Sequence, residues 1–282
     1  MSRYSFILIL NYIIFFSGQL YAQEPILLER EDLKSVPALV YVPYAKGCQG
    51  IAIVSHGAGG SEEGYAYLGR AMSDNGYLTV VVGHLESGRE ALKQYIKYYG
   101  LKDGLSALVT NPDTYRARLM DISAAKNWAQ SVCSGKRVIL IGHSMGAATA
   151  MIEAGAKNKL GLRGSDSFDA YIALSPQGIG PIFPPNAWRK IRKPVLSMTG
   201  TLDDDLQGDS WKARIIPFLN MRPGCKWVGI IKGATHLNFA GIGSSLNVER
   251  LTEQTIKAFL RGIEQGRCQI TPRYNNMIIR SK

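Results

Sequence analysis

An α/β fold, with a mostly parallel central sheet and helices on both faces, is what this sequence predicts, and three observations carry the prediction. Short β-branched runs alternate with helical segments along the chain. Several of these runs, such as Ile51-Ala-Ile-Val-Ser55 and Leu78-Thr-Val-Val-Val82, are continuously apolar, as strands buried on both faces must be. Residues 142–146 read Gly-His-Ser-Met-Gly between one such run and a small-residue segment, which places a serine on a strand-to-helix turn. The 282 residues, 46% hydrophobic and 20% charged, exclude disordered, collagen-like and coiled-coil classes and suit one α/β unit.

The elements follow in order. Residues 1–22 have the three parts of an export signal: Arg3, an apolar run from Phe6 to Phe16 interrupted by Asn11, and a cleavage site ending in Ala22. The run is shorter than the roughly 18 to 20 residues that cross a bilayer. Export to the periplasm or medium is therefore expected, with a catalytic unit over 23–270 and a short basic tail over 271–282. Strands are predicted at 38–42, 51–55, 78–82, 138–141, 169–174, 195–198 and 227–231. Helices are predicted at 61–75, 116–130, 145–157 and 248–264. Ser61, followed by two glutamates, opens the first helix and Gly76 ends it. The second carries Leu119, Ile122, Ala125 and Trp128 at helical spacing, and the last sets Leu251, Ile256, Phe259, Leu260 and Ile263 on one face. No large cap fits between residues 177 and 193. Segment 83–115 and loop 177–193 both follow strand carboxyl ends, so they are expected to wall a pocket with Tyr95, Tyr98, Tyr99, Phe183 and Trp188.

The chemistry starts at Ser144. A serine at a sharp strand-to-helix turn projects its hydroxyl above the sheet, and glycines two positions away on either side let strand and helix approach. The helix that begins at Met145 offers its N–H to a developing oxyanion. A serine needs a general base, itself oriented by a carboxylate. Of the four histidines, His143 sits inside the turn, while His56 and His84 end earlier strands. His236 follows the 227–231 strand in Gly-Ala-Thr-His and is the expected base. The acid is expected in Gly200-Thr-Leu-Asp203-Asp204-Asp205, with Asp203 three residues beyond the glycine and Asp204 as the alternative. The small-residue stretch Ser55-His-Gly-Ala58-Gly-Gly60 can turn backbone N–H groups toward a substrate oxygen; Ala58 is the candidate donor, and His56 is expected to order this loop. Cysteines 48, 133, 225 and 268 form no C-x-x-C or Cys/His cluster, so neither a metal site nor a cofactor is expected.

A net charge of +11 raises the question of nucleic acid, yet no basic helix, finger or RNA-binding aromatic set accompanies it. It leaves, at most, weak peripheral attraction to an anionic membrane or envelope. The expected partner is a small-molecule or lipid ester.

These residues, in the order Ser144, Asp203, His236, resemble the α/β-hydrolase superfamily. More narrowly, Ser55-His-Gly-Ala-Gly-Gly60, Tyr65-Ala-Tyr-Leu-Gly69, Gly142-His-Ser-Met-Gly146 and Gly233-Ala-Thr-His236 are similar to dienelactone-hydrolase-related serine esterases, a group that includes platelet-activating-factor acetylhydrolases. The resemblance implies a serine carboxylic-ester hydrolase working through an acyl-enzyme, with lipid acetylhydrolysis, acyl transfer, polyester cleavage and a non-catalytic binding role as alternatives. Dienelactone hydrolases proper have a cysteine where Ser144 stands. The family's sheet order makes strands 51–55 and 138–141 neighbours, and so implies disulfides Cys48–Cys133 and Cys225–Cys268.

Overall fold

The computed structural model describes residues 23–43, 47–135, 137–204 and 210–282; the export signal and Asp205 lie outside the described residues. Nine strands form one sheet in the order β1-β2-β4-β3-β5-β6-β7-β8-β9. Its centre is the parallel set β3 (Gly50–Ser55), β4 (Tyr77–Val82), β5 (Arg137–His143), β6 (Ala170–Leu174), β7 (Val195–Leu202) and β8 (Lys226–Thr235). Alternate residues of each central strand enter different cores. Ile51, Ile53 and Leu140 pack with α4 (Pro112–Val132) and α5 (Met145–Glu153) on one face. Ala52, Val54 and Ile141 pack with α1 (Ala66–Asp74) and α7 (Leu246–Glu264) on the other. Burial on both faces explains why these strands read as unbroken apolar runs.

The sheet is wider than the sequence patterns predict. β1 (Gln23–Glu29) and β2 (Ser35–Tyr41) form an antiparallel hairpin on one edge. Pro25 is acceptable in β1 because an edge strand leaves one side of its ladder unpaired. On the other edge, the supposed basic tail is corrected: Met277–Ser281 is β9, antiparallel to β8. Met277 is buried while Ile278 and Arg280 face solvent, so period-two alternation was present but sat among charged residues. The first helix also starts later than predicted. Ser61 and Gly64 close a turn of their own, and Tyr65 adopts φ 60° before the helix begins at Ala66.

Segment 83–115 is a helical hairpin, α2 (Arg89–Tyr99) and α3 (Leu101–Thr110), running into α4. Tyr98 and Tyr99 stand at its exposed tip. Phe183 and Trp188, expected to wall a pocket, are fully buried and pack on each other with ring centroids 5.2 Å apart. A short helix, α6 (Ile216–Asn220), precedes β8.

Both implied disulfides form, with Cα–Cα distances of 5.7 Å for Cys48–Cys133 and 5.0 Å for Cys225–Cys268. They lie at the amino edge of the parallel strands, where Cys48 precedes β3 and Cys225 precedes β8. Each closes a long loop, of 85 and 43 residues' separation. Removing either pair by Cys→Ser substitution is expected to lower unfolding stability by about 4 kcal/mol, read from urea denaturation.

Candidate active site

β5 ends at His143 and α5 begins at Met145, so one residue, Ser144, makes the reversal. Its φ of 53° and ψ of −116° are unfavourable for any side chain. Backbone bonds on both sides hold it there: Ser144 N–H donates to the Leu174 carbonyl and the Ser144 carbonyl accepts from Ala148 N–H, each at 3.0 Å. The flanking glycines are required by close approach. A Cβ on Gly142 would lie 2.1 Å from the Gly146 oxygen, and one on Gly146 would lie 2.0 Å from the Ser55 oxygen. In this first turn the Met145 N–H has no intrahelical acceptor.

The register of β7 and β8 shifts between Gly200 and Leu202, and Asp203 N–H donates back to the Gly200 carbonyl at 3.1 Å. That bend turns the carboxylate of Asp203 into the protein, where it is fully buried. His236 Nδ1 donates to Asp203 Oδ1 at 2.8 Å and Thr199 Oγ1 donates to Oδ2 at 2.9 Å. The buried Arg214 guanidinium lies 2.8 Å from Oδ1 and also bonds the carbonyls of Asp203 and Ser175. Asp204 instead accepts from Trp211 N–H at the surface. Of the two acids left open by the sequence, Asp203 is the one brought to His236.

The loop after β3 lies against the serine: a Cβ on Gly57 would be 3.3 Å from Ser144 Cβ. One chain of hydrogen bonds runs from this loop to the loop of His236. The His236 carbonyl can only accept, so His143 Nε2, 3.1 Å away, carries the hydrogen. His143 Nδ1 is then an acceptor for the Tyr65 hydroxyl at 2.7 Å, and the Tyr65 oxygen accepts from Gly57 N–H at 3.0 Å. A second cluster holds the loop from below. Arg118 donates to the His56 carbonyl at 2.7 Å, to Ser55 Oγ at 3.2 Å and to Ser87 Oγ at 2.7 Å. His84 Nδ1 donates to Asp121 Oδ2 and its Nε2 accepts from Ser55 Oγ, both at 2.8 Å. Arg30, from the β1–β2 turn, pairs with Asp121, Glu86 and Asp32. These bonds occupy the His56 carbonyl on the inner side, and Ala58 N–H takes no part in the loop's hydrogen bonds among the described residues.

Ser144, Met145, Ala58, Asp203 and His236 all lie at or beyond the carboxyl ends of the parallel strands β5, β3, β7 and β8. Sequence reasoning missed Tyr65, Arg118, Asp121 and Arg214. Arg118 carried a usable signal: it occupies the stripe Tyr115, Ile122, Ala125, Ala129 that α4 turns to the core, where an arginine demands buried acceptors. Arg214 carried none.

The strand order, the serine strained at a strand-to-helix turn and the half-exposed histidine bonded to a buried carboxylate are features of an α/β-hydrolase fold. The chain belongs to the alpha/beta hydrolase family, whose profile matches residues 52–245. Among solved structures it is similar to a protein of Klebsiella pneumoniae described as a dienelactone hydrolase, with 16% identity, TM-score 0.62, and coverage of 85% of this chain and 98% of that one. It is also similar to the esterase Pf2001 of Pyrococcus furiosus, at 15% identity and TM-score 0.57, covering 86% of this chain and 90% of that one. A third similar structure is Est1E of Butyrivibrio proteoclasticus, at 16% identity and TM-score 0.57, covering 84% and 99%. No curated protein matches the sequence.

Burial holds His56 and His143 well below the ordinary histidine range, and for His56 the neighbouring His84 and Arg118 add to the effect. Below about pH 6.5 the unfolded chain therefore binds protons that the folded one refuses, and stability is lost as pH falls. The expected slope approaches about 1.4 kcal/mol per pH unit for each histidine. Urea midpoints should drop as pH falls from 6.5 toward 5; a rise over that range would contradict this. Tyr65→Phe, which leaves Gly57 N–H unpartnered, should cost about 1 to 3 kcal/mol in the same assay.

Proposed function

We propose that the protein is an exported serine hydrolase that cleaves carboxylic esters through Ser144, His236 and Asp203. The observation that carries this reading is the 2.8 Å bond from His236 Nδ1 to a fully buried Asp203 carboxylate, at the sheet edge that holds Ser144. With Nδ1 bonded to Asp203, His236 Nε2 makes no hydrogen bond among the described residues and is the nitrogen assigned to take the proton.

In the proposed reaction, His236 Nε2 removes the Ser144 hydroxyl proton as Oγ attacks the ester carbonyl carbon. The carbonyl π electrons move to oxygen, and the N–H groups of Ala58 and Met145 stabilise that oxyanion. Asp203 stabilises the imidazolium formed on His236. Collapse breaks the bond to the leaving alkoxide, which takes the proton from His236 and departs as the alcohol. Water then attacks the acyl-enzyme with the same base, releasing the acid and restoring Ser144. Arg214 and Thr199 act as positioning residues, since both fix the Asp203 carboxylate rather than the substrate. The two disulfides are compatible with the oxidising space that export would supply. No large cap stands over the carboxyl edge among the described residues, which favours short acyl groups over long ones.

Hydrolysis of p-nitrophenyl acetate, butyrate and octanoate is the test. The purified protein should turn over the shorter esters fastest. Ser144→Ala should reduce kcat about 10⁶-fold and Asp203→Asn about 10⁴-fold, with KM little changed. Full activity in Ser144→Ala would overturn the reading.

A further inference from the structure

The α2–α3 hairpin exposes an apolar tip that no part of the proposed reaction uses. Its sequence is Lys97-Tyr-Tyr-Gly-Leu-Lys102. Tyr98 is 77% exposed, Tyr99 61% and Leu101 71%, and α2 has no buried residue along its length. Gly100, at φ 81°, makes the sharp turn between the helices, so the three exposed apolar residues lie within two positions of it. A soluble surface does not gather three large exposed apolar side chains in four residues without a partner.

We infer that this tip docks the protein onto an anionic lipid surface. Three observations favour lipid over another occupant. Tyrosine is at home where one end of the ring is apolar and the hydroxyl wet, which is the headgroup level of a bilayer. Lys97 and Lys102 flank the apolar residues, are exposed, and make no ion pair among the described residues, whereas Lys93 is paired with Glu90. Two free ammonium groups framing an apolar wedge match anionic phosphates above acyl chains. Size also argues against a protein partner. A stable interface needs roughly 800 Å² from each side, and three partly exposed side chains of about 150 to 250 Å² each fall short. A second copy of a chain carrying +11 would also be repelled.

The foot of the hairpin relates this surface to the site. Leu92 lies so close over Gly59 that a Cβ there would meet its Cδ2 at 2.4 Å, one residue beyond Ala58. From Leu92 to Tyr99 the helix rises roughly 10 Å. Leu202, the last residue of β7, and Leu85, Leu237 and Ile242, beyond the ends of β4 and β8, are all exposed. The tip and the serine thus share one edge of the sheet, and docking would bring that edge to the lipid.

The inference does not depend on the proposed esterase reaction, and its test reads binding alone. The full chain is sedimented with vesicles of phosphatidylcholine, or of phosphatidylcholine with 30 mol% phosphatidylglycerol, at 50 and 300 mM NaCl. Binding to the anionic vesicles should exceed that to the neutral ones at least tenfold and fall several-fold at the higher salt. Tyr98→Ser/Tyr99→Ser/Leu101→Ser and Lys97→Glu/Lys102→Glu should each weaken it at least tenfold, with thermal midpoints within 2 °C of the parent showing that both fold. No vesicle binding by the parent chain, or undiminished binding by both variants, would overturn the inference. So would a parent chain that binds no vesicles but self-associates through the tip, seen as a dimer in ultracentrifugation that the triple variant abolishes.

Discussion

The close approach of α5 to the sheet is the constraint on which the rest of this structure depends. Ser144 can stand in a left-handed conformation only because the chain on both sides has nowhere else to go. Gly146 passes the Ser55 carbonyl with no room for a Cβ, and Gly142 passes the Gly146 carbonyl equally tightly. β5 is paired on both sides, with β3 and β6, and buried on both faces. Packing energy distributed over that strand and helix holds a local strain of a few kcal/mol at one residue. The strain sets the hydroxyl at the helix terminus, above the carboxyl edge to which β3, β7 and β8 deliver Ala58, Asp203 and His236.

Two hydrogen-bonded systems then remove freedom from the groups around the serine. On one side, Gly57, Tyr65, His143 and the His236 carbonyl form a chain in which each donor and acceptor role is fixed by the next. On the other, Arg214 and Thr199 leave the Asp203 carboxylate a single orientation toward His236. The cluster of Arg30, Asp121, His84, Ser55 and Arg118 lies beneath and joins the β1–β2 turn to the loop after β3. Ser55, His84 and Asp121 reproduce a serine–histidine–carboxylate order, yet all three are buried. Their bonds serve to fix the backbone of the loop, which is how a surface loop can present an N–H group in a defined place.

Much of this was legible from residues alone. The parallel sheet could be read because doubly buried strands must be continuously apolar. The serine turn could be read because its glycines answer to steric needs that act within five residues. Strand ends and chain order pointed to His236 and narrowed the acid to Asp203 or Asp204. What escaped was set by tertiary contact. β1 and β9 are edge strands whose short runs include proline or charge, so their propensity was weak until a neighbour supplied the ladder. Segment 83–115 is broken by Gly88, Gly100 and Gly104, and its helices are held by packing on each other and by tertiary contacts such as that of Leu92 with Gly59. Tyr65 and Arg214 reach across 78 and 11 residues to their partners, and no local pattern encodes such a reach.

Covalent trapping tests the central claim most directly. The protein is treated with a fluorophosphonate, digested, and the adduct located by mass spectrometry. A single phosphonyl group on Ser144, formed in the native protein and absent after acid unfolding, is the predicted result. An adduct on any other serine, or undiminished labelling of Ser144→Ala, would contradict it.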